Sequence, residues 1–167
     1  MNSAIDSYLN QLKSQSCWSV IVSNTPRSTL GLDFGGRVPR ECPITNPKLL
    51  LSEDAKEFEG TYIVHLIECD WTLCRGENFL CCNRNSGPEM AVKVPDLVGT
   101  NIEVIDVGDC GSLMIKMSDN LVLRCLCTWS DAGTPHYEIT GPDFDVVAGG
   151  KGVLQEHIST EQLTGEK

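Results

Sequence analysis

Hydrophobic positions recur first at helical spacing and then at strand spacing. In residues 3–13, Ile5, Tyr8, Leu9 and Leu12 fall at i, i+3, i+4 and i+7, which predicts a short amphipathic helix resting its apolar stripe on a sheet. From residue 18 the period changes to two. Residues 18–23 and 29–34 read as strands joined through Asn24-Thr-Pro-Arg27, a turn composition, so an antiparallel hairpin is predicted. Residues 35–47 hold two glycines and three prolines among thirteen positions and are expected to form a long loop. The charged stretch 52–59 suits one helical turn or a solvated segment.

Residues 62–69 are almost continuously apolar, with Ile63, Val64, Leu66 and Ile67, and predict a central strand covered on both faces. His65 lies inside this run and is read as a satisfied core residue. Residues 70–74 extend or bend the strand, 75–78 turn, and 79–83 return as an antiparallel partner. In 90–98, Pro95 lacks a donor and restricts Val94, so a helix there starts at or after the proline or lasts only one turn.

Three strand-like runs, 101–107, 112–118 and 121–128, then form a meander, the last two joined by the two-residue turn Asp119-Asn120. Leu113, Ile115 and Met117 share one face, as do Leu121, Leu123, Cys125 and Cys127, while Lys116 and Arg124 point the other way. Residues 137–140 and 144–147 add a strand pair across Gly141-Pro142. The last residues, 149–167, have few apolar positions after Leu154 and are expected to be a flexible tail. The pattern predicts one globular domain over residues 1–148. Its class is mainly β (α+β): an antiparallel sheet, β-sandwich or half-open barrel with a short N-terminal amphipathic helix.

Composition narrows the function. The 167 residues suit one domain, and no stretch approaches the roughly 18–20 uninterrupted apolar residues of a membrane span. Residues 1–12 lack the basic-then-apolar layout of a signal peptide, so a cytoplasmic protein without membrane contact is expected. Thirteen Lys plus Arg against twenty-three Asp plus Glu leave a net charge of −10, which argues against nucleic acid as a partner.

Nine cysteines, an odd number without an export signal, are expected to be reduced. Their spacings, Cys69-x4-Cys74, Cys81-Cys82 and Cys125-x-Cys127, include no Cys-x2-Cys pair, so no metal and no other cofactor is predicted, and cysteine is read as a small buried hydrophobe.

Catalytic signatures fail in turn. Cys127 and His136 are the most plausible nucleophile and base, but no nucleophile elbow accompanies them. Gly35-Gly36 leads into Arg37-Val-Pro-Arg40 and not into a phosphate-cradling helix. Asp143 and Asp145 lack the twelve-residue loop of a calcium hand. No catalytic residue is assigned, and a non-enzymatic protein is expected.

Charge is unevenly placed. Residues 1–95 carry eleven acids and nine bases, whereas 96–145 carry nine acids against only Lys116 and Arg124. A single-sign field of this kind steers an oppositely charged partner. It predicts an acidic protein-binding module whose docking residues, on and around the meander, are Asp106, Asp109, Asp131, Glu138, Asp143 and Asp145. The alternative is a small-molecule- or metal-binding β domain with functional thiols among Cys69, Cys74, Cys81, Cys82, Cys125 and Cys127, with His65 or His136.

Four segments carry a family likeness. Ser28-Thr-Leu-Gly-Leu-Asp-Phe-Gly35, Glu68-Cys-Asp-Trp-Thr-Leu73, Leu97-Val-Gly99 and Ser118-Asp-Asn-Leu-Val-Leu123 resemble, in order and spacing, small single-domain bacterial proteins of the immunity-protein type. The likeness spans residues 18–147, with Thr72 where a basic residue is expected. It implies a partner that is a basic toxin, occluded by acidic residues, and it brings no catalytic residue.

Overall fold

Strand alternation and turn chemistry build two antiparallel sheets. The computed structural model describes residues 3–23, 29–108, 110–127, 135–149 and 154–158. Its strands are β1 (Cys17–Ser23), β2 (Leu30–Pro39), β3 (Leu49–Leu50), β4 (Phe58–Leu66), β5 (Asp70–Arg75), β6 (Asn78–Cys82), β7 (Ile102–Val107), β8 (Leu113–Met117), β9 (Leu121–Leu126), β10 (Tyr137–Gly141), β11 (Phe144–Ala148) and β12 (Leu154–Ile158). Its helices are α1 (Ser3–Leu12), α2 (Glu53–Glu57) and α3 (Gly87–Lys93), the last running into a 3-10 turn, Val94–Leu97.

One sheet has the order β12-β11-β10-β4-β2-β1-β3 and the other β6-β5-β9-β8-β7. Every strand pairing within them is antiparallel. Among the described residues, neither sheet closes into a barrel.

Leu30, Leu32, Val64, Leu66, Ile139 and Val146 of the larger sheet join Trp71, Leu73, Ile115, Met117, Leu123 and Cys125 of the smaller one in a single continuous core. Removing each large apolar side chain from water contributes about 1.5–3 kcal/mol. The stripe of α1 buries Ile5, Leu9 and Leu12, and Tyr8 stacks on Phe144 with ring centroids 4.8 Å apart.

The expected helix, both hairpins and the meander are present. At the β8–β9 turn, Asp119 and Asn120 take φ of 60° and 59°, the doubly left-handed turn that matches strand twist and that Asp and Asn tolerate best. The turn expected at 24–27 lies outside the described residues.

Three expectations are corrected and one is extended. The loop expected from residue 35 begins later, because β2 runs on to Pro39 after an irregularity between Phe34 and Arg37, where Gly35 takes φ +75°. The single turn expected around Pro95 is the 3-10 turn Val94–Leu97, with the proline in its first turn, but a helix that the expectation did not include precedes it: α3, started by the capping box of Ser86 and Glu89 with Pro88 in the first turn. Residues 154–158, expected in the tail, pair with β11 as an edge strand, because β11 offers an unpaired backbone edge there. His65 is not a core residue: it is half-buried on the outward face of β4.

Candidate functional site

Register brings the outward-facing residues of the large sheet into rows. Ile21, Gly31, His65 and Glu138 are consecutive cross-strand partners on β1, β2, β4 and β10. The next row in the same sense is Ser19, Asp33, Ile63, Thr140 and Asp145, the last on β11. Because side chains alternate along each strand, both rows project away from the core.

Part of this face is covered. The backbone N–H groups of Arg40 and Ile44 donate to the carbonyls of Glu57 and Lys56 at 2.8 and 2.9 Å, strapping the segment after β2 to α2. Between this cover and β10 lies a groove of about 460 Å³, bordered by Ile21, Gly31, Asp33, Arg40, Ile44, Leu49, Ile63, His65, Glu138 and Thr140. That volume is within the range of small-ligand sites.

The floor is hollow at Gly31. A Cβ there would meet Ile21 Cβ at 3.5 Å, an ordinary contact, and the backbone is not left-handed, so neither sterics nor conformation requires glycine.

Asp33 is 1% exposed. Its Oδ1 accepts from the Gly60 N–H at 2.9 Å, whereas Oδ2 is buried without a hydrogen bond among the described residues. Arg40 Nη2 stands 3.7 Å from Oδ2, an ion pair longer than a hydrogen bond, while Arg40 Nε donates to the Ala55 carbonyl at 3.1 Å and Nη1 to Glu59 Oε2 at 2.9 Å, so two carboxylates share one guanidinium. Burial raises the Asp33 carboxyl above its ordinary range, opposed by the Gly60 N–H, the Arg40 charge and the nearby Ser19 hydroxyl. His65 is pushed down by burial and held up in part by Glu138. Asp33, Glu59 and Glu138 against Arg40 leave the site anionic.

The acidic positions are divided between the sheets. Glu138 borders the groove, Asp145 is half-buried on the same face, and Asp143 is exposed in the turn between β10 and β11. Asp106 is on β7, at the edge of the small sheet, in a row with Met114 and Arg124, and so faces outward on the other side of the core. Asp109 and Asp131 lie outside the described residues.

All nine cysteines are free. Trp71 faces Cys125 and Asp70 faces Leu126, and the same register continued places Cys69 opposite Cys127. Hydrogen bonding to Cys127 and Cys69, together with burial, pushes the Cys125 thiol up, while the same bond lowers Cys127. Cys127 Sγ lies 3.0 Å from the Gly111 carbonyl. His136 Nδ1 is 2.6 Å from the Glu68 carbonyl, which only accepts, so Nδ1 carries the proton. Cys127 Sγ is thus engaged with Gly111 and His136 with Glu68 through Nδ1, while His136 Nε2 is buried and has no hydrogen bond among the described residues. Among the described residues, no group of three or more His, Cys, Asp or Glu is arranged to hold a metal, and no helix is long and apolar enough to cross a membrane.

Sequence reasoning missed Gly31, Asp33 and Arg40. The alternation in Leu30-Gly-Leu-Asp-Phe34 already puts Gly31 and Asp33 on one face, but nothing local joins them to Arg40, His65 or Glu138. Comparison with protein-family models, curated proteins and solved structures gives no match for this chain.

Proposed function

We propose that the protein is a non-enzymatic binding module that docks a basic protein on the uncovered outward face of its large sheet. Occlusion of a cationic toxin in the cytoplasm, as the immunity-type likeness implies, is the form this takes. The observation that carries it is the placement of Glu138 and Asp145 on one face beside Asp33, whose buried Oδ2 has no hydrogen bond among the described residues and only a 3.7 Å ion pair to Arg40. Protein partners of opposite charge are steered by such a face, and the interaction weakens as salt rises.

The test is reconstitution. A basic protein recovered from the native host and then purified should bind the wild type with an affinity that falls steeply with salt. Reversal of Glu138 and Asp145 to Lys should reduce that affinity at least tenfold, and Asp106→Lys should change it little. Equal loss from Asp106→Lys, or no loss from the double reversal, overturns the proposal.

A small-molecule ligand is the second reading, favoured by the groove volume of about 460 Å³. No cysteine borders that groove, so the thiols have no part in it.

A further inference from the structure

We infer that the groove over Gly31 is a pocket for one long-stemmed cation, the side chain of a lysine or arginine of the basic partner, with its charged head held at the acidic border to which Asp33 and Glu138 contribute. The inference rests on the docking proposal and names what that surface would grip.

Three observations converge on it. First, a carboxylate is held out of water at Asp33 with Oδ2 lacking a hydrogen bond among the described residues, an arrangement that costs free energy unless a donor arrives. The local cation is shared, since Arg40 hydrogen-bonds Ala55 and Glu59 through Nε and Nη1 and reaches Oδ2 only as a 3.7 Å ion pair through Nη2, so one guanidinium serves two carboxylates. Second, the nearby charges sum to an excess of carboxylate, so the missing donor is best a cation and not a neutral amide. Third, Ile21, Ile44 and Ile63 line the same groove as Asp33 and Glu138. Apolar walls ending in acids match a methylene stem ending in an ammonium or guanidinium, the amphipathic form of Lys and Arg.

Gly31 then has a reason. A side chain is sterically admissible there, and strand glycine is otherwise unfavourable relative to alanine, so the missing Cβ serves to keep the floor open. Residue 31 sets what enters.

The experiment uses Nα-acetyl-lysine amide and Nα-acetyl-arginine amide as probes, with Nα-acetyl-norleucine amide as the uncharged control and agmatine as a free cation. Binding is followed by amide chemical shifts on the full chain. The expected result is saturable shifts at Gly31, Ile63 and Thr140 with the capped cations and none with norleucine. Asp33→Asn should weaken them at least tenfold, and Gly31→Leu should remove them. Gly31→Val and Glu138→Gln serve as second variants, and an unchanged urea midpoint shows that each still folds.

Norleucine binding as well as lysine, shifts confined to other surfaces, or capped-cation binding retained by Gly31→Leu would each overturn the inference. Agmatine binding while the capped residues do not would assign the pocket to a free small cation and overturn the partner side chain. If the purified basic partner binds Gly31→Leu as tightly as wild type, the pocket fails while the docking face stands. If the Glu138 and Asp145 reversal leaves partner binding intact, the docking face fails whatever the pocket does.

Discussion

The backbone N–H of Gly60 donates to Asp33 Oδ1 at 2.9 Å across the β2–β4 pairing, and this bond decides which carboxylate oxygen is left to the groove. The same glycine leaves no room for a side chain against the β2 backbone. A Cβ on Gly60 would lie 2.5 Å from Phe34 N and 2.7 Å from Phe34 O.

Gly60→Ala should therefore destabilise the fold by about 2–3 kcal/mol, because backbone must shift to admit the methyl group. Gly31→Ala, two strand positions from Asp33, should be neutral or stabilise by up to about 1 kcal/mol, since its Cβ finds only ordinary contacts. Urea unfolding of the two variants checks the contrast.

Asp33→Asn should leave the protein as stable as wild type or more stable at neutral pH. Burial raises the folded-state carboxyl above its unfolded value, so the native state binds the proton more tightly and stability falls as pH rises through that interval. The asparagine oxygen still accepts from Gly60 without a buried charge. Unfolding midpoints measured from the ordinary carboxylate range up to neutrality should show the advantage of Asp33→Asn shrinking toward acid. A large loss at neutral pH would show that the ionised carboxylate is needed for folding itself.

His65 works in the opposite sense. Its folded-state value is depressed by burial, so the unfolded chain takes up the proton first and stability is lost as pH falls below about 6.5, the ordinary value. His65→Gln should remove that part of the acid sensitivity, visible as a flatter midpoint profile just below pH 6.5.

Removing the cap of α3 should cost about 1 kcal/mol. Ser86 Oγ accepts from the Glu89 N–H at 3.4 Å while Glu89 Oε2 accepts from the Ser86 N–H at 2.8 Å, so Ser86→Ala leaves an orphan donor at the helix start. A similar loss is expected for Asn120→Val, which places a β-branched residue at φ 59°. Denaturant midpoints measure both.

Thiol labelling should follow exposure and thiolate character. Cys110 is exposed and its thiol is held below the ordinary range by hydrogen bonds from Ser112, so it should be alkylated first. Cys17, pushed up to about 12 by burial, and Cys81, pushed up to about 11, should resist until the protein unfolds. Peptide mass spectrometry after timed iodoacetamide treatment reads the order, and early labelling of Cys17 would contradict the core packing of β1.

The extension of β2, the short β3 and the edge strand β12 escaped local pattern. Local pattern alone determined the strand segments of both hairpins and of the meander, where the Asp119-Asn120 turn falls, and that Leu113, Ile115 and Met117 share a face. Such features depend on residues a few positions apart, where a period of two or 3.6 is written directly in residue order. It likewise determined the net charge of −10, but not its address.

Tertiary structure decided the rest. Nothing near Tyr137 in the chain says that β10 leaves the meander and pairs with β4, placing Glu138 beside His65 and opposite in sense to Asp106. That choice belongs to long-range packing, in which whole apolar faces are buried at once, and strand order follows from which pairing lets both sheets share one core. The hollow over Gly31 is of the same kind, since it exists only because β1, β2, β4 and β10 lie side by side.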